Sequence, residues 1–167
     1  SPVPKIAITG ANAVSATVMT KTSTTVYTYA HTVAAGNGNA SVVMSVAKDA
    51  GGNVVIATPT SGATFVVDNT DPTAAITYSR SGQYEKNDTV TITATFSEAV
   101  ADSPVPKIAI TGANAVSATV MTKTSTTVYT YAHTVDYGSG NVSVVMSVAK
   151  DVAGNTIIAT PTSGATF

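Results

Sequence analysis

Hydrophobic and polar residues alternate one by one along several stretches of this chain, the pattern of half-buried β-strands. Residues 89–96 are the clearest case: Val90, Ile92, Ala94 and Phe96 fall on one side, and Thr89, Thr91, Thr93 and Thr95 on the other. One face is expected to be core and the other wet. The same pattern predicts strands at 73–79, 106–111, near 117–122, at 127–135, at 142–150 and at 156–167, the last interrupted at Pro161 and Gly164. The expected inward sets are Ile108 and Ile110 in the third strand, and Val142, Val144, Met146 and Val148 in the sixth. Each large apolar side chain fully buried contributes about 1.5–3 kcal/mol. No window combines a 3.6-residue period with helix caps, so the expected fold class is all-β.

The strands belong to a repeat. Residues 1–65 recur as residues 103–167, an offset of 102, with 57 of the 65 positions identical. The differences are Ala34/Asp136, Ala35/Tyr137, Asn37/Ser139, Ala40/Val142, Ala50/Val152, Gly51/Ala153, Val54/Thr156 and Val55/Ile157. Small apolar exchanges and loop changes of this kind predict the same fold for both copies. The period is longer than the roughly 20–50 residues of solenoids and matches a β-sandwich domain of about 100 residues. The expected organisation is a partial repeat at 1–65 holding only later strands, a linker at 66–72, and a complete seven-stranded repeat at 73–167. The partial copy would expose half a core, so upstream residues or a neighbouring chain are expected to complete it.

Composition narrows the function classes. Only 10% of residues are charged and the net charge is -1, which leaves no electrostatic footprint for nucleic acid or an anionic membrane. Cysteine is absent, excluding disulfides and thiolate metal sites. No apolar run approaches the roughly 20 residues of a membrane helix. The chain opens on Ser1-Pro2-Val3-Pro4, so any exporting or anchoring segment is expected outside residues 1–167. No Gly-x-Ser-x-Gly elbow and no phosphate-binding glycine loop occurs, and enzymatic activity is not expected. His31 and His133 stand in a Tyr-x-Tyr-x-His strand pattern and are expected to be packed, not catalytic.

Polar chemistry gathers in three segments that simple up-and-down strand geometry brings to one end of the complete repeat. They are the linker Asp68-Asn69-Thr70-Asp71-Pro72, the turn holding Glu98 and Asp102, and the turn Asp151-Val152-Ala153-Gly154-Asn155. Five of the nine acidic residues converge there. Crowded carboxylates repel unless a cation offsets them, and carboxylate, amide and backbone oxygens are the ligands Ca²⁺ prefers. The candidate metal ligands are therefore Asp68, Asn69, Asp71, Glu98, Asp102, Asp151 and Asn155, holding Ca²⁺ between segments and stiffening the joint between domains. The spacing is not that of an EF-hand. The other reading is that Asp and Asn only satisfy backbone groups of their own turns.

With the Phe96-Ser97-Glu98-Ala99-Val100 turn, the Asp151-Val152-Ala153-Gly154-Asn155 turn and the Asp68-Asn69-Thr70-Asp71-Pro72-Thr73 linker, the whole chain resembles the tandem immunoglobulin-like repeats of large bacterial and archaeal cell-surface proteins: adhesins, surface-layer and filament proteins. The resemblance implies an extracellular, cell-surface location and a structural role as stalk, extender or building block of a layer or filament. Its partners would be neighbouring repeats and copies of itself. It also implies calcium at interdomain joints, with Asp68, Asp71, Glu98 and Asp151 as the ligands. In the first copy only Asp49 and Asn53 of such a site are present. The alternative function is an adhesive module for glycan, ice or a partner cell, using loop 136–141 or the outward threonines.

Overall fold

Every regular element in the computed structural model, which describes residues 2–167, is a β-strand, and every ladder between strands is antiparallel. The chain divides into two units, Ser1–Asn69 and Thr70–Phe167, each described separately below.

The first unit contains β1 (Lys5–Gly10), β2 (Val14–Val18), β3 (Thr20–Lys21), β4 (Tyr27–Thr28), β5 (Gly38–Ser45) and β6 (Thr64–Val67). Four of them form one sheet in the order β2-β1-β5-β6, and β3 and β4 form a separate two-stranded ribbon. Val66 and Val67 are part of β6.

The second unit contains β7 (Ala74–Tyr78), β8 (Thr89–Phe96), β9 (Lys107–Gly112), β10 (Val116–Val120), β11 (Thr122–Lys123), β12 (Val128–Thr134) and β13 (Val142–Ser147). They build a three-stranded sheet, β10-β9-β13, and a four-stranded sheet, β11-β12-β8-β7. The inward residues of both sheets meet in one apolar cluster, as in a β-sandwich: Ile76, Val90, Ile92, Ala94 and Phe96 from one, Ile108, Ile110, Val144 and Met146 from the other. Alternation in β8 is as the pattern predicts, with its four apolar residues buried. Phe96 meets Tyr129 edge-on at 5.6 Å, the arrangement that aromatic quadrupoles favour.

Two sequence expectations are corrected. The sixth strand ends at Ser147, because Val148 takes a positive φ of 65°, a conformation that a β-branched residue adopts only where its surroundings impose it. This irregularity advances the alternation by one residue: Val148 turns outward, 45% exposed, while Ala149 and Asp151 turn inward. The segment 156–167, expected as a seventh strand interrupted at Pro161 and Gly164, forms no regular strand and keeps only isolated bridges such as Lys150 with Thr156 and Ser143 with Thr166. Pro161 and Gly164, the latter at φ 66°, break it, and its pieces pair with both sheets. The Ser163 carbonyl accepts from Ile76 N and Thr162 N donates to Ala74 O, whereas Ala165 and Phe167 pair with Val144 and Val142. A side chain at Gly164 would stand 2.1 Å from the Ile76 carbonyl oxygen, so this position requires glycine.

Candidate functional site

The acid-rich end of the second unit is built where the chain leaves β8 and β13. After β8 the chain turns through Ser97 and Glu98. Thr73 N donates to Ser97 Oγ at 3.0 Å and Ser97 N to Thr73 O at 2.9 Å, fixing the entry to β7 beside this turn. After β13 the slipped alternation carries Asp151 inward, where Val100 pairs with it and Ala101 N donates to Lys150 O at 2.8 Å. Glu98 and Asp151 therefore share one end of the unit, and a carboxylate oxygen of each lies within 4.8 Å of the other.

Asp151 is 2% exposed. Its Oδ1 accepts from Gly154 N at 2.6 Å and Asn155 N at 2.8 Å, and its Oδ2 accepts from Asn155 Nδ2 at 2.7 Å. Burial by itself would raise its pKa, but the hydrogen bonds from Asn155, Gly154 and Ala153 together outweigh burial and hold it below the ordinary 3.8. The turn chemistry expected of Asp and Asn is thus present in full. It is also local, because the first unit repeats it: Asn53 N and Nδ2 donate to the two oxygens of Asp49 at 2.9 and 2.8 Å, lowering that carboxyl too. Asp49 is exposed, so the loop closes without burial.

The remaining candidates divide. Asn155 joins Asp151 through its amide. Asp102 is exposed and pairs with Lys123 Nζ, whose pKa the hydrogen bond to Asp102 raises. Local sequence carries no mark of this pairing, since Lys123 lies on β11, 21 residues from Asp102. Asp71 is exposed at the start of the second unit. Asp68 and Asn69 end the first unit: Asp68 is half-buried after β6, and Asn69 is tied to the β4–β5 connection, donating from N to Asn37 Oδ1 and from Nδ2 to Gly36 O, both at 2.6 Å.

His133 is packed as the strand pattern predicts, 5% exposed, with Nε2 buried and without a hydrogen-bond partner. Burial pushes its pKa below the ordinary 6.5. Acidification is therefore expected to weaken the second unit in two windows. A depressed histidine takes up its proton first in the unfolded chain, so its contribution is full above pH 6.5 and fades as pH falls through and below that value. The depressed Asp151 carboxyl contributes fully above pH 3.8 and is lost below it. Thermal melting between pH 8 and 3 checks both, and His133→Gln is expected to remove only the upper window. A melting temperature that does not move between pH 7 and 5 would refute the histidine part.

Among the described residues no helix is long and apolar enough to cross a membrane. No protein-family model matches the chain, and no curated protein matches it in sequence.

Proposed function

We propose that this chain is a structural segment of an extracellular surface protein, made of tandem immunoglobulin-like β-sandwich repeats that act as a stalk or extender or as building blocks of a layer or filament. The observation that carries the reading is repetition at two levels. The stretch that is 57-of-65 identical in sequence also builds the same central ladder twice, β1 on β5 and β9 on β13, in one register. Near-identical modules in series give length and mechanical resistance. The seven strands of the second unit, sorted three and four around one core in about 100 residues, support the immunoglobulin-like assignment.

Calcium belongs to this reading through Glu98 and Asp151, two carboxylates close enough to share a cation that prefers oxygen ligands. Asp151 spends three acceptor positions on its own turn, so water and backbone oxygens would complete the coordination.

Two measurements test the two parts separately. Pulled between its ends in a force spectrometer, the chain is expected to give a discrete unfolding step with the contour length of residues 70–167, and gradual lengthening without a step would defeat the mechanical role. Isothermal titration of the chelator-treated chain with Ca²⁺ is expected to give a saturable heat that Glu98→Gln abolishes. A flat titration would remove calcium and leave the repeat reading standing.

A further inference from the structure

The octapeptide Val26-Tyr27-Thr28-Tyr29-Ala30-His31-Thr32-Val33 recurs unchanged as residues 128–135. In the second unit it provides β12, which pairs residue by residue with β8 from Val128↔Thr95 to Thr134↔Thr89. In the first unit only Tyr27 and Thr28 are strand. The same contrast runs across part of the inward face, although Ile8 and Ala40 are buried like their counterparts Ile110 and Val142. Ile108, Tyr129, Val144 and Met146 are buried, whereas their counterparts Ile6, Tyr27, Val42 and Met44 are each partly exposed. Val33 is 52% exposed against 8% for Val135. The first unit thus presents a preformed four-stranded sheet whose inward face is only partly buried, and its other sheet is the two-stranded β3-β4 ribbon where the second unit has the four-stranded β11-β12-β8-β7 sheet.

We propose that this face is a docking site for a two-stranded antiparallel β-hairpin with the alternation of β7 and β8, of the kind that residues 66–102 supply to the second unit. The second unit identifies the occupant, because there the same side chains are covered by Ala74, Ile76, Val90, Ile92, Ala94 and Phe96 of that hairpin. Residues 29–33 lie outside any strand, whereas their equivalents 131–134 pair along β8 and Val135 bonds to Asp88, so the hairpin supplies both apolar cover and ladder partners.

A second copy is the poorer occupant. Its own hairpin is already folded into its own second unit, so an exchange gains no net pairing. It also loses contacts: Lys86, in the β7–β8 connection, lies 3.4 Å from the Tyr137 ring and 3.6 Å from the Asp136 carboxylate. The first unit has Ala35 and Ala34 at those positions. Two of the eight differences between the copies therefore bind this hairpin to the second unit and leave the first unit without those ties.

The test extends the intact chain at its N-terminus with a second copy of residues 66–102, which repeats the Asp102-Ser103 junction because Ser1 and Ser103 open the same sequence. Hydrogen exchange at the amides of residues 29–33 is expected to slow about tenfold or more as they enter a ladder. Val90→Asp with Ile92→Asp, placed in the added copy only, is expected to abolish the slowing and leave the second unit unchanged. Exchange as fast in the extended chain as in the parent overturns the proposal. Protection of residues 29–33 in the parent that grows with protein concentration also overturns it, by assigning the face to a second copy.

Discussion

Ile108→Ala is expected to destabilise the second unit by about 2–5 kcal/mol, and Ile6→Ala, the same change in an identical local sequence, to cost the first unit a minor part of that. Ile108 is fully buried between two sheets, so truncation loses its whole transfer free energy and leaves a cavity that close-packed neighbours fill only in part. Ile6 is partly exposed, so less area returns to water and no enclosed cavity forms. Backbone geometry does not distinguish the two sites: Ile6 pairs with Met44 as Ile108 pairs with Met146. A melting curve of the whole chain mixes two units and does not yield one free energy. The comparison is instead made by hydrogen exchange at Val42 and Val144, whose amides are both hydrogen-bonded, to Ala63 O and Ala165 O at 2.7 Å. Equal costs at both positions would mean that the first unit encloses its core face as fully as the second.

Asp151→Ala is expected to cost the second unit about 1.5–3 kcal/mol, the range for hydrogen bonds to a charged acceptor. The change strands Gly154 N, Asn155 N and Asn155 Nδ2 together, at a position where water has little access. Asp151→Asn keeps one acceptor oxygen for the two backbone donors and is expected to recover part of the loss. The matching Asp49→Ala removes the same turn hydrogen bonds from an exposed loop, where water replaces them, and its effect is expected to be small. Urea unfolding followed by exchange at unit-specific amides compares the two. A loss at Asp49 as large as at Asp151 would show that the turn, and not its burial, sets the cost.

Much of the candidate site was legible in sequence and some was not. The Asp-x-x-Gly-Asn turn forms alike in both units, because its hydrogen bonds join residues at most four apart and need only a glycine that tolerates φ near 100°. The approach of Glu98 to Asp151 followed from strand alternation and simple end-to-end geometry. The burial of Asp151 did not: Val46 takes the same φ as Val148, 67° against 65°, yet Asp49 is exposed, so it is the packing of the Val100 segment beside Asp151 that buries it. The Asp102–Lys123 pair was equally invisible, being a contact between the β8–β9 connection and β11.

The amino-acid sequence by itself determined the all-β class, the paired copies, the alternation of β8 and the local turns, because each depends on residues within a few positions of one another. Only the tertiary structure decided whether a segment with strand pattern becomes a strand. Residues 26–33 and 128–135 are identical, yet one is strand over two residues and the other over seven. Identical side chains carry identical propensity, and β8 beside the second copy makes the difference. An extended segment closes its hydrogen bonds and buries its apolar face only against a partner, and that partner lies outside its own sequence.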